Sequence, residues 1–443
     1  MKYWNLACNS LISLLGPLLV LFALNAPAQA AENQGQHLGV ASCAGSTCHG
    51  ATSPTADTNV QLNEYVTWVR RDKHAKAYEV LLSTQSKRIA RNLGIGDAHT
   101  AKVCLDCHAD NPPANLRSPS FQISEGVGCE GCHGGAQNWL SSHTANPARS
   151  ENIARGMTAT EDPVVRAGLC LSCHFGNQEK FVTHRMMGAG HPRMTFELDT
   201  FTQLQPAHFV VDEDYRKRKG AISGIKLWAV GQAMMAREHM AALSDSNRNR
   251  DGLFPEFVLF DCHSCHTPMS NQNWQPRSNG VRTPGMPHVN DSSLVMLQVM
   301  TRVIDPALAQ AVAAKTRTLH QSGSSGMAQL SSAAKDLHGL TGQMVTKFAA
   351  SNFDSTLLKA MLKSLIQAGI DGDYSDYADA EQAAMAIDTL IAAMRAEKTL
   401  SDSQLQKLAA ALDAVFAATA KDEAYQAGRF NAALSGVRAA LGS

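Results

Sequence analysis

The chain has 443 residues, with 39 Lys plus Arg against 39 Asp plus Glu and a formal net charge of zero. That length gives room for about two or three domains, and the balanced charge excludes the basic footprint of a nucleic-acid binder. Aromatic residues are sparse at 6%, yet there are 11 Cys and 17 His, so residues that ligate metals stand out before any pattern is sought.

The chain opens with Lys2, an apolar run over 11–24, and Ala28-Gln29-Ala30. This order is that of a secretory signal peptide cleaved after Ala30. The run is short for a bilayer span. Cys8 falls inside this leader and leaves with it. Residues 31–60 are polar and rich in Gly, Ala, Ser and Thr, and they contain Cys43-Ala-Gly-Ser-Thr-Cys48-His49. Residues 61–93 are predicted to be helical, with Trp68, His74 and Tyr78 along them. Residues 94–145 carry Cys104-Leu-Asp-Cys107-His108 and Cys129-Glu-Gly-Cys132-His133, in a background of Gly126, Gly128, Gly131, Gly134 and Gly135. Such glycines let backbone approach a flat ligand closely. His143 follows in a Ser/Asn-containing loop.

Residues 146–185 are predicted to be helical up to Cys170-Leu-Ser-Cys173-His174. A Gly-containing loop then holds His184, Met186, Met187, His191 and Met194, all of them side chains that can ligate iron. His208 lies in a further loop. Residues 222–243 read as an amphipathic helix that carries Trp228 and His239. Residues 251–286 contain Cys262-His263-Ser-Cys265-His266, and the Pro/Gly/Asn-rich stretch 275–291 reads as a linker. From 292 onward the composition turns to Ala, Leu, Met and Gln, without cysteine. About six helices are expected there, broken near Pro306, 322–326, 352–355, 369–374 and 399–401, with Ser401-Asp-Ser-Gln404 as a capping box. Their apolar periodicity predicts an antiparallel bundle.

Four copies of C-x-x-C-H, and a fifth with four residues between the cysteines, carry the chemistry. This is the attachment signature for c-type haem. Each cysteine sulfur forms a thioether with a haem vinyl group, and the following histidine ligates the iron. On a helical turn, residues i, i+3 and i+4 share a face, so both sulfurs and the imidazole can meet one porphyrin. From the residue counts, one such motif is expected by chance about 0.01 times in the chain. Zinc pairs of cysteines do not need a histidine directly after each pair. The ten remaining cysteines are all consumed by the five motifs. The expected cofactor is therefore haem c in five copies, attached at Cys43, Cys48, Cys104, Cys107, Cys129, Cys132, Cys170, Cys173, Cys262 and Cys265. The proximal iron ligands are His49, His108, His133, His174 and His266. Twelve other histidines could supply sixth ligands. His74, His143, His191, His208 and His239 are the distal candidates, and His184 is a further one. His263 reads as a neighbour of its own haem. The expected organisation is a leader over 1–30, a pentahaem domain over 31–286 and an Ala-rich helical domain over 287–443. The fold class is mainly α with little sheet.

Residues about 40–200 resemble the cytochrome c-554 / c-prime family. The resemblance rests on His74-Ala-Lys-Ala after a Trp-containing helix, on Gly126-Val-Gly-Cys-Glu-Gly-Cys-His-Gly, and on His143 standing ten residues past His133. It implies a mainly helical fold with haems in closely stacked pairs. It implies that His143 is the distal ligand opposite His49, that His74 is the distal ligand opposite His133, and that the haem of His108 can lack a protein sixth ligand. The four-residue spacing of the first motif, the fifth motif and about 150 C-terminal residues depart from the small tetrahaem members. The wording around His191 and His239 looks like that of larger multihaem cytochromes, which makes both look like further distal ligands.

The functional expectation is a periplasmic electron carrier, exported because covalent haem attachment requires export, that serves redox partner proteins. The alternative is an enzyme with one open haem, that of His108, acting on a small nitrogen or sulfur compound, with His99 or Arg193 beside the bound anion. The C-terminal helices are expected to dock a partner or a second copy, or to cap the haem domain.

Overall fold

A computed structural model of the protein describes residues 35–54, 60–145, 148–221, 223–266 and 287–442. The leader and most of the linker therefore lie outside the described residues. The fold is mainly α. Among the described residues, strand is limited to the ribbon Arg250–Asp251 with Phe254–Pro255 and a few isolated bridges.

Residues 35–221 form short helices separated by loops. The predicted helix over 61–93 is broken into Glu64–Arg71, the 3-10 turn Lys73–Lys76, Ala77–Val80 and Thr84–Leu93. Asp72 makes the first break, because its carboxylate accepts the His74 N–H in place of a helical carbonyl. The apolar cluster of this region is small: Leu81, Ala90, Ala98, Leu105 and Ala109. A polar hub holds the segment instead. Buried Glu130 accepts from the N–H groups of Leu38 at 2.8 Å, Gly39 at 2.8 Å and Ala136 at 2.7 Å, and so ties the start of the chain to the third motif.

Two glycines show why this region tolerates so little side chain. Gly126 has φ of 77°, and a Cβ there would stand 2.7 Å from the His74 carbonyl oxygen. A Cβ on Gly135 would meet the Gly35 carbonyl oxygen at 2.1 Å. The close approaches that these two glycines allow are to other backbone, which carries the peptide planes past one another beside the motifs.

The helix Gly224–Ser244 is the spine of the molecule. It is apolar nearly all round rather than amphipathic, because it is covered on every side. The motif-bearing helix Pro163–His174 packs on it, as do Leu198–Leu204, Ser292–Ile304, Met327–Ala350 and Tyr377–Ala396. Trp228 is wholly buried at its centre. Gly231 permits the Leu198 contact, since a Cβ there would come within 2.6 Å of the Leu198 Cβ.

The C-terminal part has seven α-helices among the described residues: Ser292–Ile304, Pro306–Gly323, Met327–Ala350, Ser355–Ile370, Tyr377–Ala396, Asp402–Ala418 and Ala427–Leu441. Every expected break is present, and the Ser401/Gln404 capping box forms. One further break, around the 3-10 turn Asp422–Ala424, divides what reads in the sequence as a single final helix. There the Tyr425 hydroxyl reaches the Tyr374 carbonyl at 2.6 Å and fixes the bend. One apolar core runs from Ala167 and Leu171 to Leu434 and Val437. The hydrophobic core therefore does not stop at residue 287. Backbone bonds also cross that point, from Asp261 N–H to the His288 carbonyl at 2.7 Å and from Asn290 N–H to the Leu259 carbonyl at 3.1 Å.

Two predictions arise from this packing. Deleting 292–443 would expose most of the faces of the Gly224–Ser244 spine, so the shortened chain is expected to aggregate or lose cooperative melting. A soluble fragment that melts cooperatively would contradict it. The second concerns Glu197, which caps Leu198–Leu204 through the N–H groups of Asp199 at 2.8 Å and Thr200 at 2.7 Å. Burial pushes its carboxyl up to about 7, against the opposing effect of those bonds. The folded chain then holds a proton that the unfolded chain releases near 4.5, so stability falls as pH rises from about 4.5 to about 7. The contribution is about 3 kcal/mol. Glu197→Gln is expected to flatten that part of the pH–melting profile, and an unaltered slope would refute the assignment.

Candidate metal centres

The five motifs sit on different local frames. Cys104–His108 lies on the helix Lys102–His108, and Cys129–His133 is itself one helical turn. Cys170–His174 ends the helix Pro163–His174, whose start is fixed by Pro163 and by Asp162 accepting from the N–H groups of Val164 and Val165. On these three the i, i+3, i+4 face is realised. The fifth motif begins in the 3-10 turn Cys262–Ser264. The first is a turn in which His49 N–H bonds the Cys43 carbonyl at 3.1 Å, and this absorbs the two extra residues. None of the ten motif cysteines forms a disulfide among the described residues.

Every motif histidine faces a second histidine ring. The ring centres of His49 and His143 are 6.3 Å apart, those of His174 and His74 6.3 Å, and those of His108 and His191 6.4 Å. The distance is 6.3 Å for His133 with His208 and 6.3 Å for His266 with His184. Two imidazoles on opposite sides of one ion, each nitrogen about 2.0 Å from it, place their ring centres about 6 Å apart. The five pairs fit an iron with two axial histidines. Spacing alone does not make such a site. His288 and His320 are also 6.3 Å apart, but neither follows a cysteine pair, and His320 Nε2 is 2.8 Å from the Asp291 carboxylate.

The pairings differ in part from those the resemblance implies. His143 stands opposite His49, as implied. His74 stands opposite His174 rather than His133, because the bend at Asp72 turns it toward the fourth motif. His208 takes the place beside His133. His184, left among the open candidates in the sequence, stands opposite His266. His239 has no histidine ring beside it among the described residues. Its Nε2 donates to the Leu259 carbonyl at 2.9 Å, burial holds it down at about 4, and it is a neutral core residue. His263 packs against Tyr377 and His99 against Tyr78. Arg193 is engaged elsewhere: its guanidinium bonds Glu381 at 2.7 Å and lies 5.1 Å from the Tyr377 ring centre.

A ring nitrogen is engaged in five of these ten histidines. His49 Nδ1 is 2.9 Å from Glu64 Oε2, and His74 Nδ1 is 2.9 Å from Asp72 Oδ1. His108 bonds the Ala77 carbonyl at 3.1 Å and His191 the Pro192 carbonyl at 2.8 Å. His143 bonds the Leu140 carbonyl. With Nδ1 taken as donor, Nε2 is left for a metal. Burial pushes His133 and His174 down to about 4, which keeps both neutral, the form that binds iron. Bonds to Glu64 and Asp72 raise His49 and His74 instead. Burial alone would raise the Asp72 carboxyl, yet the His74 ring and main chain, with Gln205, bring it to about 2.

The motifs also approach one another. The side chains of Cys43 and Cys129 are neighbours, and so are those of Cys107 and Cys173. Motif one thus adjoins motif three, and motif two adjoins motif four.

No curated protein and no solved structure matches the chain. Residues 42–134 match the family model described as cytochrome c554 and c-prime. That segment contains the first three motifs, the helix Glu64–Arg71 and His74. Over residues 42–134 the chain is therefore similar to the cytochrome c554 and c-prime family, which supports a haem c-type cytochrome in electron transfer.

Proposed function

We propose that this is an exported pentahaem cytochrome that carries electrons between redox partner proteins, with each of its five irons held between two histidines. The observation behind the reading is the second ring opposite every motif histidine, at 6.3–6.4 Å. When bound, haem c supplies one-electron exchange between ferric and ferrous iron. Two imidazoles per iron leave no position for a substrate and favour low potentials. His191 opposite His108 speaks against an open haem at the second motif, and Arg193 is already paired with Glu381. Both favour the carrier over the enzyme.

The thiol contacts support an order of sites. Cys43 beside Cys129 links the first motif to the third, and Cys107 beside Cys173 links the second to the fourth. Asp72 bonds both His74 and Gln205, three residues before His208, which brings the third and fourth together. His184 and His191 lie on the short helix His184–Gly188 and the turn just after it, which associates the fifth motif with the second. The route is then one, three, four, two, five, with the first and fifth motifs as its ends. The C-terminal helices support the fifth motif through the strand-like contact of Phe260 with Val289, and we assign them a structural role.

His184→Ala is expected to leave all five haems attached, since the cysteines are untouched. It should convert one haem of five to a high-spin form, read by paramagnetic resonance. His239→Gln is expected to leave every haem low-spin. An unchanged spectrum in His184→Ala, or a new high-spin signal in His239→Gln, would remove the corresponding assignment.

A further inference from the structure

The hydrogen bonds behind the paired rings are of two kinds. His108, His143 and His191 give Nδ1–H to main-chain carbonyls. His49 and His74 give it to carboxylates, Glu64 and Asp72, each at 2.9 Å. Both carboxylates are locked from behind. Glu64 Oε1 accepts from the N–H groups of Gln61 at 3.1 Å and Leu62 at 3.2 Å. Asp72 Oδ1 also accepts the His74 N–H at 2.9 Å, and Oδ2 accepts from Gln205 Nε2 at 3.0 Å. Asp72 is only 5% exposed, so little water screens its charge.

A full negative charge on Nδ1–H draws the proton toward the carboxylate and makes Nε2 a stronger donor than a carbonyl does. A stronger donor stabilises ferric over ferrous iron, and hydrogen bonding behind an axial ligand is one of the means by which a protein sets a haem potential. We propose that Glu64 and Asp72 are positioning residues that depress the reduction potentials of the His49/His143 and His74/His174 sites, each acting through the imidazole it holds. The inference rests on the pentahaem reading above. The couple concerned is the one-electron ferric–ferrous couple. The Nδ1 proton stays on the ring, and no covalent bond forms or breaks.

The placement gives the effect a use. Along the proposed route the two carboxylate-backed sites flank the His133/His208 site. That site has no carboxylate in the bonds described for its two rings, although the charges of Glu64 and Asp72 also reach His208. The two carboxylates therefore act most directly on the sites on either side of it. Asp72 also ties His74 to Gln205, which lies three residues before His208, so one carboxylate links the ligand sets of the third and fourth sites.

The test uses the full-length holoprotein, with haem number checked by mass and potentials read by spectroelectrochemical titration against a small one-electron reductant. Glu64→Gln and Asp72→Asn keep size and hydrogen-bonding capacity but remove charge. In each, one wave is expected to rise by about 59 mV, which is a tenfold change in that couple's equilibrium constant, with the His133/His208 wave rising less and the other three little changed. Asp110→Asn serves as the comparison. Asp110 sits two residues from His108, but its carboxylate bonds His37, a ring outside the five pairs, at 2.7 Å. No comparable rise is expected there. If Asp72→Asn does not fold, Glu64→Gln decides the matter. Unmoved waves in Glu64→Gln, or an equal rise in Asp110→Asn, would overturn the proposal. A parent protein with fewer than five haems by mass would instead overturn the pentahaem reading.

Discussion

Five pairs of imidazoles, each with ring centres 6.3–6.4 Å apart, join segments of the chain that little else brings together. The region that contains most of them has a small apolar cluster and many short helices. An ordinary domain of that length is stabilised by burying side chains against one another. Here the thiols and imidazoles converge on spaces sized for a metal between two rings, and covalently attached porphyrins would supply the missing apolar contact. The polar hub at Glu130 and the close backbone passages at Gly126 and Gly135 then serve one end: they hold peptide segments at the separation the ring pairs need.

The other half of the molecule obeys a different rule. The Gly224–Ser244 spine is apolar on nearly all faces and gathers the motif-bearing helix Pro163–His174 and the C-terminal helices around one core. The fourth motif is therefore anchored to ordinary hydrophobic packing, and the fifth is anchored through Phe260 and Val289. The terminal helices contribute stability to the electron-carrying part rather than standing apart from it.

The sequence made some of this legible and hid the rest for physical reasons. The cysteine motifs are local, and covalent chemistry fixes their spacing, so a candidate proximal histidine for each can be read from the sequence alone. Helix breaks at Pro306, at the Ser401 cap and at the glycine turns are also local, and they fall where the residues predict. The distal histidines carry no local signature. His184 starts a short helix and His208 sits in a loop, 82 and 75 residues from their partners in the chain, and only the tertiary path decides which ring each one meets. His74 illustrates the difficulty. Its neighbourhood resembles the family's pattern, yet one buried carboxylate at Asp72 bends the backbone and presents the ring to His174. His239 illustrates the converse, since a histidine on a predicted helix face looks the same whether its nitrogen meets iron or the Leu259 carbonyl.

The central claim is that every iron in this chain has a histidine on both sides, and electron paramagnetic resonance of the fully oxidised holoprotein tests it most directly. With five haems verified by mass, the account predicts low-spin ferric signals alone, unchanged when nitrite or nitric oxide is added under oxidising conditions. A high-spin component that integrates to one haem and shifts on addition of either compound would contradict it, and would identify the protein as an enzyme with an open iron.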